Sequence, residues 1–264
     1  MVIDIHTHCF PDELAPKAIS LLAKKAGIPA FLDGTIKRLK QSMVDAGIGI
    51  SVLQPIATKP EQTKSINRWA ANVQDEDIIS FGTIHPDFSD WKDEIKWLVE
   101  AGFKGVKFHP EYQDFFVDEP KLFPIYEALV KSGLIMLFHA GVDLGFPGPY
   151  HCTPSRLKKV LDAFPDSTII AAHMGGYRYW DDVEKCLIGR NLYLDTSFSE
   201  ELDNKRTEKL IKAHGAQKIL FGTDSPWCDQ AKEVSRIRSL NLSDDEINSI
   251  LGGNAIRILK LEVK

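Results

Sequence analysis

The chain has 264 residues, of which 44% are hydrophobic and 26% charged, and its formal net charge is −5. This is ordinary soluble-globular composition, long enough to bury a substantial core. Acidic and basic residues are interspersed with no basic patch or aromatic-basic stripe, and no apolar run is long enough to span a bilayer, so nucleic acid and membrane are set aside.

In chain order, short β-branched runs predict strands at 2–8, 50–56, 78–84, 103–109, 134–139, 168–173, 191–196 and 218–223. Amphipathic stretches between them predict helices near 12–26, 61–73, 90–101, 120–132, 154–164, 180–187 and 204–214. Further helices are expected at 229–239, 243–251 and 254–260, and Ser243 with Glu246 makes a capping box for the second of these. Short strands alternating with helices imply parallel pairing through crossovers. Eight such units in a chain of this length predict an α/β fold, a (β/α)8 TIM barrel, as one domain over 1–264. An open doubly wound sheet fits less well, because no Gly-x-Gly-x-x-Gly opens the first helix. The Gly- and Pro-rich segment 140–153 follows the fifth strand and would lie over the barrel mouth.

Barrels of this kind place their chemistry where the strands end. Strand one ends His6-Thr7-His8, and alternation along a strand sends both imidazoles to one face, roughly 7 Å apart. Strand four ends Lys107-Phe108-His109-Pro110-Glu111, strand five ends in His139 and strand six in His173-Met174-Gly175-Gly176. Strand eight ends Thr223-Asp224-Ser225-Pro226-Trp227. Chance would scatter eight histidines over helices and loops as well. Their concentration at strand ends predicts that His6, His8, His139, His173 and Asp224 converge on one or two divalent cations. Imidazoles with a carboxylate suit zinc, and iron, manganese, cobalt or nickel are served by the same donors. Such a cation activates water for attack on an acyl carbon, with a histidine or aspartate moving protons. Asp4, placed by alternation on the face of His6 and His8, either orients a ligand imidazole or accepts backbone hydrogen bonds at the barrel floor. Thr223 and Ser225 are expected to hold the second oxygen of Asp224.

Four cysteines, Cys9, Cys152, Cys186 and Cys228, form no C-x-x-C pair, which fits a reducing compartment and buried structural thiols. Asp4 and the two histidines interrupt the apolar N-terminal residues before a signal-peptide core forms, so the expected location is cytoplasmic.

In this order the motifs make the chain resemble the amidohydrolase superfamily, in the branch of small metal-dependent hydrolases and decarboxylases related to aminocarboxymuconate semialdehyde decarboxylase. The resemblance runs from Ile3-Asp4-Ile5-His6-Thr7-His8 to Gly253-Asn254-Ala255-Ile256-Arg257. It implies a metal held by His6, His8, His139 and Asp224. It also implies that His173 is the base that activates water in one-metal members, or a second-metal ligand in two-metal members. Two-metal members end strand four with a carboxylated lysine or a glutamate, where this chain has Lys107 and then Glu111. Either Lys107 is carbamylated and ligates, or it stays an ammonium that binds an anionic substrate or pairs with Glu111. The expectation is one cation, zinc first, with two if Lys107 is carbamylated, and Glu111 is a candidate additional ligand.

Asp224 is expected to serve also as proton acceptor, His109 and Trp227 to line the substrate pocket, and Lys107 and Arg178 to contact a carboxylate. The expected activity is hydrolysis of a small amide, lactone or other cyclic or acyl substrate; the alternative is non-oxidative decarboxylation of an unsaturated carboxylic acid on the same metal site. A barrel phosphoesterase and a barrel with a purely structural metal fit less well. The expected partner is a small molecule, and a homo-oligomer is compatible with the sequence.

Overall fold

The computed structural model describes residues 1–262; the last two residues of the expected 1–264 unit lie outside the described residues. All strand pairs are parallel and follow chain order. The first strand, Val2–Thr7, pairs with the second, Ile48–Leu53, and the second with the third, Ile78–Ser80. The third bends at Phe81 and resumes as Gly82–Thr83, which pairs with the fourth, Gly105–Phe108. The fifth to eighth strands are Ile135–Phe138, Ile169–Ala171, Tyr193–Asp195 and Ile219–Leu220. Backbone bonds then join the eighth strand's end to the first. Ile5 N donates to Phe221 O at 2.9 Å, Asp224 N to His6 O at 2.8 Å and His8 N to Ser225 O at 2.6 Å. The expected α/β barrel is the architecture observed.

Period-two alternation divides the core into two layers. On the fifth strand Ile135 and Leu137 join Ile3, Ile5, Val52, Phe81, Ile170 and Leu220 in a cluster built from the strands. Met136 and Phe138 instead join the larger cluster under the helices, with Val106, Phe108, Tyr126 and Leu157. The first strand departs from strict alternation, because its register with the second shifts between Asp4 and Thr7. Such an irregularity re-aims side chains. It sends Asp4 toward Thr223 and Gln230, on the helix Gln230–Arg238, while His6 lies at the barrel mouth.

Every expected helix has a counterpart, and one was not expected: Ile36–Ala46, between the first helix, Ala15–Ala26, and the second strand. Thr35 caps it by accepting from Arg38 N at 3.2 Å, and Gly47 ends it at φ 69°. Only Leu39 and Met43 of its residues are buried, so its apolar stripe is narrow. The expected 243–251 helix is a helical segment, Asp244–Asn248, followed by a π-helical stretch, Ser249–Gly253. Gly252 is needed there, because a Cβ would fall 2.2 Å from Met1 O. Asn254 then donates to Ala216 O at 2.8 Å and Ile219 O at 2.7 Å, tying the chain's end to the base of the eighth strand.

Candidate metal centre

The C-terminal ends of strands one and eight bring His6, His8 and Asp224 together, with one donor atom from each within 4.8 Å of the others. Asp224 Oδ1 lies 3.4 Å from His6 Nε2 and 3.1 Å from His8 Nε2. The other ring nitrogens are already committed. His6 Nδ1 donates to Asp195 Oδ2 at 2.9 Å, and His8 Nδ1 donates to the carbonyl of Gln54 at 2.9 Å. A carbonyl can only accept, and Asp195 is ionised: burial alone would raise its pKa, but His6 beside it holds it at about 2. Both imidazoles are therefore Nδ1–H tautomers whose Nε2 lone pairs face an ionised Asp224. Burial also presses the pKa of His6 down to about 3, with the charge of Lys107 adding to the effect, so this ring stays neutral. Two lone pairs and an anion converging on one point call for positive charge; Lys107 Nζ, 3.0 Å from His6 Nε2, supplies part of it, and a divalent metal bound there would displace it from His6 Nε2. The donor set thus fits a divalent metal, with Asp195 in the orienting position that metal-bound histidines characteristically have.

His173 and His139 continue the array. His173 Nδ1 donates to Ser197 O at 3.0 Å, which leaves its Nε2 to accept from His139 Nδ1 at 3.0 Å. His139 Nε2 is then an unprotonated, buried atom with no hydrogen-bond partner. The structure groups His139 with His109 and Asp143 in a second donor group, not with His6, His8 and Asp224. The two rings of that group stack at 4.2 Å with 11° between planes, so their in-plane lone pairs run side by side. An ion midway would lie far out of both rings, and this group is the poorer metal site. His173, Met174 and Asp224 have φ of 59°, 54° and 66°. Non-glycine residues are uncommon in this region, and these three lie in the turns that end strands six and eight.

Lys107 is wholly buried, and its Nζ donates to His6 Nε2 at 3.0 Å. It forms no ion pair among the described residues, and burial lowers its pKa to about 8 against the attraction of Asp224 and Asp195. A cavity of about 440 Å³ opens from this point, lined by His6, His8, Lys107, His109, His139, His173, Asp224 and Trp227. Val142, Asp143 and Leu144 of the 140–153 loop line it too. That loop is held by Gly141, bridged to Tyr177 so closely that a Cβ would meet Tyr177 N at 2.3 Å.

Several expected roles are corrected. Glu111 joins neither donor group: its Oε1 accepts from His151 N at 2.9 Å and its Oε2 is buried without a partner. It does not pair with Lys107. Arg178 is half-exposed, gripped by Glu201 through Nε at 2.9 Å, and does not line the cavity. Thr223 and Ser225 do not hold Asp224; Thr223 Oγ1 donates to Asp4 Oδ2 at 2.6 Å, and Ser225 Oγ has no partner. Asp4 touches no imidazole; it accepts from the backbone of His6 and Thr223, but it lies against Thr223 and Gln230 of the helix Gln230–Arg238 and not at the barrel floor. Cys9 lines the cavity, and Cys9 and Cys228 are buried thiols whose pKa burial pushes up, which disfavours a thiolate ligand. Asp195, Ser197, Gln54 and Asp143 escaped sequence reasoning. Only Asp195 carried a signal, a carboxylate ending strand seven as Asp224 ends strand eight.

Fold and donor group together define a barrel protein with a divalent metal site at the strand ends. A family model for amidohydrolases matches residues 3–261, and the chain belongs to the amidohydrolase family. Its fold is that of solved structures of low sequence identity. An uncharacterized TIM-barrel protein from Bordetella bronchiseptica is 19% identical, with a TM-score of 0.77 and 98% of each chain covered. The 5-carboxyvanillate decarboxylase LigW from Sphingomonas paucimobilis is 18% identical, with a TM-score of 0.74 and 99% of each chain covered. A dihydroxybenzoic acid decarboxylase from Polaromonas sp. JS666, with bound manganese and 2-nitroresorcinol, is 17% identical with a TM-score of 0.74, covering 100% of this chain and 98% of that one. The chain is thus an amidohydrolase-superfamily enzyme. Among the described residues no helix is long and apolar enough to cross a membrane.

Proposed function

We propose that this enzyme is a metal-dependent decarboxylase that removes CO2, without oxidation, from a small carboxylic acid. The observation that carries the proposal is Lys107, an ammonium wholly buried beside the donor group and without an anionic partner. Asp224 and Asp195 attract it without forming an ion pair, and a substrate carboxylate in direct contact is the partner that would compensate it fully. The decarboxylase names of the Sphingomonas and Polaromonas proteins support the same reading.

His6, His8 and Asp224 hold the cation, zinc by donor type or manganese as in the Polaromonas structure. When bound it supplies electrophilic stabilisation of negative charge on the substrate. Lys107 binds one carboxylate oxygen and fixes the carboxyl group beside the donor cluster. The apolar cavity wall excludes water, which disfavours the charged carboxylate relative to neutral CO2. The bond from the substrate carbon to the carboxyl carbon breaks, its electron pair stays on the substrate carbon, and that carbon takes up one proton. His173 lines the cavity beside His139; its Nε2 carries no proton in the resting site, so it must first take one from solvent and then hand it to that carbon. Hydrolysis of an amide or lactone is the second reading, favoured by an ionised Asp224 poised to accept a proton from water.

The test is CO2 release from a panel of unsaturated and aromatic acids by zinc- and manganese-reconstituted enzyme, run beside amide and lactone hydrolysis. Release of CO2 that is lost in Lys107→Met, with metal content unchanged, is the expected result. Turnover of amides or lactones with no CO2 from any acid would replace the first reading by the second.

A further inference from the structure

We infer that the substrate is a monocarboxylic acid with an extended apolar body, not a dicarboxylic acid; this deepens, and rests on, the reading of the site given above. The cavity's volume of about 440 Å³ is within the range of small-molecule sites, about 300–1,000 Å³. It is much larger than a carboxyl group needs. Away from the donor group its wall is formed by Leu22, Ile28, Ile56, Ile66, Trp69 and Leu144. They come from four places: the first helix and the turn after it, the loop after strand two, the helix Thr63–Val73, and the 140–153 loop. None of the six is fully buried, so each keeps apolar surface that a substrate can cover. Removing such surface from water is the main source of affinity for an apolar ligand.

The charged groups of the lining are unevenly placed. Lys107 is the one lysine or arginine among the lining residues, and it sits at the donor group. The carboxylates are Asp224, in the donor group, and Asp143, whose Oδ2 is 3.3 Å from His109 Nε2. Burial opposes ionisation of Asp143, but the hydrogen bond from His109 keeps its pKa below the usual carboxylate range. One anionic head is therefore matched at Lys107. A second would meet Asp143, hydrocarbon or the neutral polar groups of Gln54, Thr58, Ser65 and Tyr112, and none of these supplies a second positive charge.

Calorimetric titration of the zinc-reconstituted enzyme with butanoate, hexanoate, octanoate, decanoate and octanedioate tests this. Affinity should rise about fourfold per methylene, the burial of one CH2 being worth ~0.8 kcal/mol. Octanedioate should bind at least tenfold more weakly than octanoate, about one decade being the size of a modest discrimination. Ile66→Asn and Leu22→Asn, on two different helices, should each flatten the chain-length dependence while metal content stays at the wild-type level. A flat series in the wild-type holoenzyme, equal affinity for octanoate and octanedioate, or an unchanged slope in both variants overturns the inference. Failure of the underlying reading looks different: no cation is retained, or no unsaturated or aromatic acid of the panel above releases CO2.

Discussion

Asp195→Asn is the substitution whose effect can be worked furthest. Asp195 Oδ1 accepts from two backbone groups, His173 N at 3.0 Å and Ser197 N at 3.1 Å, while Oδ2 accepts from His6 Nδ1 at 2.9 Å. In the variant the amide oxygen is retained by the two backbone donors, so the NH2 group takes the place of Oδ2. It then faces the Nδ1–H of His6, donor against donor. The conflict is relieved if His6 changes tautomer, which puts its proton on Nε2, aimed at the cation site. Turning the amide over instead would set NH2 against both backbone donors. Losing the partner that orients a metal-bound histidine lowers metal affinity by about 10- to 100-fold, or roughly 1.4–2.7 kcal/mol. The assay is competition for zinc against a chromophoric chelator, with far-ultraviolet dichroism confirming the fold. Turnover should fall at limiting zinc and recover in part at saturation. Wild-type zinc affinity in Asp195→Asn would refute both the tautomer argument and the assignment of His6 as ligand.

Further expectations concern other parts of the site. His8→Ala and Asp224→Asn should each lose bound metal and CO2 release together, measured by elemental analysis and turnover; retention of both would show that the cation lies elsewhere. His173→Ala should abolish turnover while the cation remains bound, and loss of the metal would instead make His173 a ligand. Intact mass should show Lys107 without an added carboxyl group, and metal content should be near one per chain; values near two would point to a carbamylated bridge. Glu111→Gln should change the pH dependence of stability. Burial raises the Glu111 pKa from 4.5 to about 7, so the folded chain binds the extra proton between these values. The stability of the protonated form is fully present below pH 4.5 and is lost as pH rises through about 7. At about 1.36 kcal/mol per unit the whole effect is roughly 3 kcal/mol, of which about 2 falls between pH 5.5 and 8.5. Urea denaturation at those two pH values should show the variant gaining that much on wild type, and a parallel dependence would refute the placement of Glu111.

The barrel was legible because its signals are local. Eight short apolar runs, spaced by amphipathic stretches, define strands and helices whatever the tertiary detail. The helix Ile36–Ala46 was missed because its buried stripe is two residues wide, and its cap at Thr35 and stop at Gly47 stood without a strong periodicity. The 78–84 run was read as one strand, and hydrogen bonding makes it two pieces joined through Phe81 N to Leu53 O at 2.9 Å. Strand-end histidines and Asp224 were legible by type, since alternation and barrel geometry place them together. What the sequence could not carry was direction. Asp4 was assigned to the face of His6 by strict alternation, and the register shift before Thr7 turned it to Gln230 instead. Arg178 has the residue type for a carboxylate contact, and Glu201 holds it outside the cavity.

The same distinction bears on the His-x-His pair. Two imidazoles on one face of a strand are a cation site only when their free lone pairs point the same way, and each ring has two tautomers to choose between. The choice is made by three acceptors far away in the sequence. Asp195 on strand seven fixes His6, the Gln54 carbonyl after strand two fixes His8, and the Ser197 carbonyl after strand seven fixes His173. Two of the three are backbone carbonyls, which every residue possesses, so no residue type could have announced them. They can act only because the fold brings the ends of strands two and seven beside the imidazoles of strands one and six. The ligands can therefore be guessed from residue types, whereas their competence as ligands follows from the fold. Substitutions that leave all the ligands in place, Asp195→Asn first among them, are accordingly the sharper test of whether this site holds a metal.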